Sequence, residues 1–506
     1  MYKDDKILIG KNGKTEACLL TKLANRHGLI CGASGTGKTI TSKVMAESLS
    51  DAGIPVFMAD VKGDLSGTAL VGEMNENISK RVQNLDLKDF EVKDFPVRFW
   101  DVFKDNGHPI RFTVEDVGPN ILSMMLGLSE AQEGVLNILF KIAKDENMDL
   151  DNLEDLKSAL NYVGENRKDY TTSYGNITTQ SVGVILRSLS VLENQGIDNF
   201  FGEPELDIKD FIAVDSNGKG IINILDAVEL YKNPDLYSAI MLCLFTKIYD
   251  SMPEVGDLDK PKIVFFFDEA YFLFREMPSY RLKQVEKVVR LIRSKGIGLY
   301  FISHYTTDIP ATILDQLGNR VQHNLRAYTP ADQKIAKAAA DSFRTNPKFN
   351  TYDTILELGT GEAVVSFQNE KGEPSICERV FILPPQSMIG VIDASARNRI
   401  INNSPLAGKY DEATNDESAA EKIAAINKEK EEEKAAAEKA KADEKAAKEE
   451  EKRKAAEERQ RAKEEREKER ARKNSTSYKV KKRVTNRASS FFLTKFLNAV
   501  WKKIFK

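Results

Sequence analysis

Apolar residues recur along this chain with two periods. The runs His27–Cys31, Val56–Ala59, Gly220–Ile224, Lys262–Phe267 and Gly298–His304 are short and apolar almost throughout. Such runs predict strands buried on both faces, as in a parallel sheet covered by helices. Between them the spacing turns helical at Ile40–Leu49, Tyr237–Tyr249 and Ser279–Lys295. From about Val117 to Phe200 helical runs follow one another without a strand: Ile121–Met125, Glu130–Lys144, Leu153–Val163 and Ser181–Glu193. The pattern predicts an α/β fold with a mostly parallel sheet and an all-helical insertion. Residues 1–24 alternate and turn, predicting a β-hairpin, and Gly359–Ser366 predicts a turn and the last core strand. Expected segments are the hairpin at 1–24, the core at 25–116 and 201–410, the insertion at 117–200, a linker at 411–478 and a terminal helix at 479–506.

Composition changes the picture mainly at the C-terminus. The chain has 506 residues, 41% hydrophobic and 30% charged. Residues 421–473 carry 19 Lys+Arg and 17 Asp+Glu with almost no large apolar side chain. Heptad a and d positions are not apolar, so this stretch reads as an extended exposed helix or a disordered charged linker. Residues 1–410 hold 46 basic and 56 acidic residues, which excludes a broadly basic nucleic-acid-binding surface. Any DNA contact must come from locally focused positive charge, as in the channel of a ring. Cys18, Cys31, Cys243 and Cys377 are widely spaced and read as free thiols of a reducing compartment. There is no apolar leader and no apolar run of membrane-spanning length, so a cytoplasmic location is expected. In Ser490–Lys506, apolar pairs from Phe491/Phe492 to Ile504/Phe505 alternate with lysines. On a helix this pattern fits an anionic membrane surface at the inner face, a partner groove, or packing on the chain's own core.

The chemistry centres on Gly32–Thr39, Gly-Ala-Ser-Gly-Thr-Gly-Lys-Thr, between a buried strand and a helix. This matches G-x-x-x-x-G-K-[ST] in the setting a phosphate-binding loop requires. Backbone N–H groups of Gly32, Ala33, Ser34, Gly35, Thr36, Gly37, Lys38, Thr39 and Ile40 would face the phosphates of ATP. Lys38 would reach the β/γ oxygens and the Thr39 hydroxyl would hold Mg²⁺. The run Ile263–Phe267 ends in Asp268-Glu269. Two acids at the end of a buried strand are costly to desolvate without a task. Asp268 would hold the metal and Glu269 would orient the attacking water. Asp60 and Asp64 follow another strand and either face a ligand or cap the turn. Arg320, then Arg293, then Arg326 are candidates for an arginine that reaches a neighbouring subunit, with a structural salt bridge as the other reading of each.

These motifs resemble the bacterial helicase HerA-like ATP-binding proteins of the FtsK–HerA superfamily. The likeness is carried by Ala24–Ile30 with the loop after it, Val56–Leu65, Phe265–Ala270, Arg290–Gly296 and Leu317–His323. It implies a RecA-like P-loop NTPase core, a homo-hexamer, and ATP hydrolysis at subunit interfaces with an arginine supplied in trans. It also implies a γ-phosphate sensor at the end of Gly298–Ser303, where His304 stands in place of the usual Gln. Tyr271 departs likewise from a usual His, and residues 1–24 are too short for the β-barrel that precedes the HerA motor. The resemblance implies translocation of double-stranded DNA. Translocation of protein, or a membrane-associated scaffold whose ATP use controls assembly, remains open beside it.

Overall fold

The computed structural model describes residues 1–275, 277–414 and 418–474. Thirteen strands form one mixed sheet: β1 (Tyr2–Lys3), β2 (Lys6–Asn12), β3 (Thr15–Leu20), β4 (Gly28–Cys31), β5 (Val56–Asp60), β6 (Val97–Asp101), β7 (His108–Pro109), β8 (Ile222–Asp226), β9 (Ile263–Phe267), β10 (Ile297–Ser303), β11 (Asn319–Gln322), β12 (Glu362–Ser366) and β13 (Glu378–Ile382). Their order is β1-β2-β13-β12-β11-β4-β10-β9-β5-β8-β6-β7, with β3 on β2. From β11 to β7 the neighbours are parallel, and from β11 outward to β1 they are antiparallel.

The uniform runs are uniform because their strands lie in the middle of this sheet. In β9, Ile263, Phe265 and Phe267 join one apolar layer while Val264 and Phe266 join the layer on the opposite face. Phe266 stacks on Tyr300 of β10, and Phe267 on Phe301. At about 25 cal/mol per Å² of apolar surface, each such ring contributes roughly 2–3 kcal/mol when fully buried.

Two features differ from the expectation drawn from the pattern. The N-terminal hairpin is an edge of the main sheet, because β2 pairs with β13 through Phe381↔Lys11 and Ile382↔Gly10. The parallel half also extends beyond β8 to β6 and β7. Val97-Arg98-Phe99-Trp100-Asp101 is too mixed in polarity to stand out as a strand.

Helix α1 (Lys38–Asp51) follows β4, and α2 (Glu76–Asn84) begins at an Asn75 cap. The helical insertion comprises α3 (Val114–Met125, broken at Gly118), α4 (Glu130–Asp145), α5 (Leu153–Glu165), α6 (Arg167–Tyr174) and α7 (Thr179–Asn194). Its apolar stripes enter the same core layer as Phe265 and Phe267.

A second unit begins near Ile426. The helix Ala419–Asn474 spans 56 residues, and its side chains from 427 to 471 are exposed. Pairs one turn apart, such as Glu444–Lys448 and Glu450–Lys454, line its surface. No helix among the described residues is long and apolar enough to cross a membrane. The predicted helix at 479–506 lies outside the described residues.

Candidate active site

The P-loop leaves the C-terminal end of β4 and enters α1 at Lys38. Gly32 has φ +154°, and a Cβ there would fall 2.5 Å from the Cβ of His323, so this turn accepts only glycine. Gly37 caps α1 with φ +117°. Lys38 Nζ donates to the carbonyls of Gly32 at 2.7 Å and Ala33 at 3.3 Å, which lays its side chain along the loop. Burial lowers its pKa, against the charges of Glu269 and Asp268.

Strand β10 lies between β4 and β9, in register through Ser303↔Cys31 and Phe301↔Phe267. That register delivers the P-loop, Asp268-Glu269 and His304 to the same edge of the sheet, the carboxyl edge where open α/β sheets bind ligands. The Tyr237 hydroxyl donates to the Asp268 carbonyl at 2.8 Å, and Asp268 Oδ1 accepts the Glu269 N–H at 2.9 Å. Glu269 adopts φ +49°, a left-handed conformation that a non-glycine residue keeps only when its surroundings impose it. The residue is 6% exposed, and its carboxylate lies 3.4 Å from His304 Nε2. The segment carrying His304 is tied down by Asp308, which accepts from the Ser303 hydroxyl at 2.6 Å and the Tyr305 N–H at 2.8 Å.

Burial and the adjacent Glu269 raise the Asp268 pKa to about 6. Burial also pushes Glu269 up, but the hydrogen bond and charge of His304, with Lys62 and Lys38, more than offset it and hold the carboxyl below its ordinary value. The two neighbouring acids are therefore driven apart, a usual sign of divided roles.

Lys62 and His323 are the residues that sequence reasoning left without a role. The Lys62 charge bears on Lys38, Asp268 and Glu269 alike. His323 is fully buried beneath the P-loop, with Nδ1 2.9 Å from the Glu362 carbonyl and Nε2 2.8 Å from the Thr41 hydroxyl. The carbonyl can only accept, so Nδ1 carries the proton and Nε2 accepts from Thr41. Burial drops its pKa to about 4, which keeps the ring neutral. No local spacing marks a contact made across 282 residues.

Asp60 proves to be a turn cap. It is 2% exposed and accepts from the N–H of Leu65 at 3.0 Å and more loosely from that of Lys62 at 3.4 Å, fixing the loop that carries Lys62. Burial and Asp64 raise its pKa to about 7. A raised carboxyl contributes stability below its unfolded pKa and loses it as pH rises through the folded one. Asp60→Asn lacks this slope, so urea unfolding at pH 5 and pH 8 should show the variant gaining on the parent as pH rises.

Of the three arginines, Arg320 is spent within its own chain. It donates to the carbonyls of Leu317 at 3.1 Å, Ser342 at 2.9 Å and Leu314 at 3.0 Å. Arg293 pairs at 3.0 Å with Asp257, whose side chain is 73% exposed, and Arg326 is exposed.

The donor set fits a magnesium ion. The Thr39 hydroxyl and Asp268 carboxylate are hard oxygen ligands, and Mg²⁺ commonly takes one or two such groups together with water and substrate phosphates. Among the described residues no cluster of three His, Cys, Asp or Glu could cage a metal alone.

Sheet, loop and acid pair define a P-loop ATPase. The chain belongs to the helicase HerA-like C-terminal family, whose model matches residues 5–502. It is 22% identical over 381 residues to the DNA double-strand break repair helicase HerA of Sulfurisphaera tokodaii, covering 72% of this chain and 67% of that one. The protein of the same description from Sulfolobus acidocaldarius is 21% identical over 371 residues, with 71% and 65% covered. The chain thus spans about two thirds of these curated relatives. The solved plasmid coupling protein TrwB, in complex with the non-hydrolysable GTP analogue GDPNP, shares the fold at TM-score 0.51 and 12% identity, with 78% of this chain and 92% of that one covered.

Proposed function

We propose that this chain is a Mg²⁺-dependent ATPase motor that works as a homo-hexameric ring and moves along double-stranded DNA. The observation that carries the hydrolytic part is Glu269, held at φ +49° with its carboxylate 3.4 Å from His304, on the sheet edge that carries the P-loop. The DNA part draws support from the description of the HerA relatives.

In this reading the P-loop N–H groups and Lys38 bind the β- and γ-phosphates. Thr39 and Asp268 would hold Mg²⁺, which when bound neutralises charge on the phosphate oxygens. Glu269 orients a water molecule and takes its proton as the water oxygen bonds to the γ-phosphorus. The bond to the β–γ bridging oxygen breaks and ADP leaves with those electrons. His304 positions the Glu269 carboxylate. The arginine reaching a neighbouring site is assigned to Arg293, because its pair with exposed Asp257 is a weak surface contact, whereas Arg320 is committed to three carbonyls.

The test is the steady-state ATPase rate with and without long duplex DNA at two salt concentrations. DNA stimulation that falls with salt is the expected result, because phosphate contacts release counterions. Hydrolysis indifferent to DNA at both salts would overturn the DNA reading and leave another polymer as the cargo.

A further inference from the structure

Strand β5 pairs in parallel with β9 through Phe57↔Phe265 and Met58↔Phe266. The loop after Asp60 therefore leaves the sheet beside Asp268-Glu269, one strand spacing of about 4.8 Å away. In the order β4-β10-β9-β5, the P-loop lies two strands to one side of the acid pair and this loop one strand to the other. From Ile54 to Gly63 every residue is buried except Lys62.

The loop that presents Lys62 is held at several points. The Asp60 carboxylate spans it, accepting from the Lys62 and Leu65 N–H groups, and the Asp60 carbonyl accepts the Ala227 N–H at 3.0 Å. The Ser66 hydroxyl donates to the Gly63 carbonyl at 2.8 Å and accepts the Ile392 N–H at 3.2 Å. Gly63 turns the chain with φ +79°, a conformation that a side chain would strain. A lysine that merely solvates a surface needs no such support.

The Lys62 ammonium holds no ion pair or hydrogen bond among the described residues, although its charge bears on Lys38, Asp268 and Glu269. Both acids have other partners. Glu269 lies 3.4 Å from His304, and Asp268 accepts the Glu269 N–H at 2.9 Å. The site is thus flanked by two lysines, one of them uncommitted.

We propose that Lys62 is a second γ-phosphate ligand, a cation that this chain supplies to its own site opposite Lys38. The proposal rests on the reading of Gly32–Thr39 as a triphosphate site. The γ-phosphate is what distinguishes ATP from ADP, and an ammonium with three donors meets its oxygens as a compact point charge. Lys62 therefore reads whether the γ-phosphate is present. A lysine that only balanced the acid pair would act through Asp268 and Glu269 and would not tell the two nucleotides apart.

Calorimetric titration of the full-length protein with MgADP and with the non-hydrolysable imido analogue of MgATP separates these roles. Lys62→Met removes the charge at nearly constant length. It should weaken the ATP analogue by about tenfold or more, the cost of one charge-assisted hydrogen bond, and leave MgADP within about twofold. Retained MgADP binding also shows that the site is folded. Lys62→Arg keeps the charge and should lie closer to the parent than to Lys62→Met. The same selective loss should appear when Lys62→Met is added to Glu269→Gln, because the contact does not run through the carboxylate. Equal weakening of both nucleotides, no weakening of either, or an effect that vanishes in Glu269→Gln overturns the contact while the phosphate site stands. Parent protein that binds neither nucleotide overturns the phosphate site, and the role of Lys62 with it.

Discussion

Replacing Glu269 by glutamine should lower ATP turnover by about 10²- to 10⁴-fold, the usual contribution of a positioned general base. ATP affinity should stay close to that of the parent, because the P-loop and Lys38 are untouched. The exchange is nearly isosteric and keeps the φ +49° backbone, so melting should change little. The separation of kcat from binding is the informative part. In the proposed mechanism Glu269 acts on the water, whereas Lys38 and the loop amides act on phosphate in ground and transition states alike. Near-parental turnover in this variant would mean that another group orients the water. His304→Ala should show a smaller loss of kcat, since it leaves the carboxylate in place and removes only its positioning partner.

The second large effect falls on stability. Arg320→Ala should destabilise the fold by about 2–3 kcal/mol, because three carbonyls lose a charged donor. Arg293→Ala should stay within about 0.5 kcal/mol of the parent, as expected of an exposed pair, yet depress turnover in the assembled protein. Urea unfolding of both variants, read beside their ATPase rates, distinguishes a structural arginine from one that serves a neighbouring site. Parental stability with lost turnover in Arg320→Ala would return the trans role to Arg320.

The contrast between these arginines marks where sequence reading stops. Gly32–Thr39 is legible because its chemistry is local: glycines, Lys38 and Thr39 at fixed spacing between a strand and a helix. Asp268-Glu269 is legible because acids are out of place after five apolar residues. What Arg293 and Arg320 hold is only partly local. Arg320 finds Ser342, 22 residues away, and nothing in Leu317–Arg326 announces it. His323 and Lys62 escaped for the same reason, since the groups they face lie far along the chain. Asp60 carried two readings of equal weight until its bond to the Leu65 N–H decided for the cap. In the fold, the central strands were legible because burial on both faces leaves uniform apolar runs. Strand β6 and the docking of β2 on β13 were not, because strands away from the doubly covered centre of the sheet keep mixed polarity and their pairing is long-range.

The central claim is that Gly32–Thr39 and Asp268-Glu269 form one ATP-hydrolysing site. Phosphate release from ATP by the purified full-length chain with Mg²⁺, measured in parallel on Lys38→Ala, tests it most directly. The account predicts steady turnover in the parent that requires Mg²⁺ and is lost in Lys38→Ala. Equal release by both proteins, or none by the parent under any Mg²⁺ or DNA condition, would contradict it.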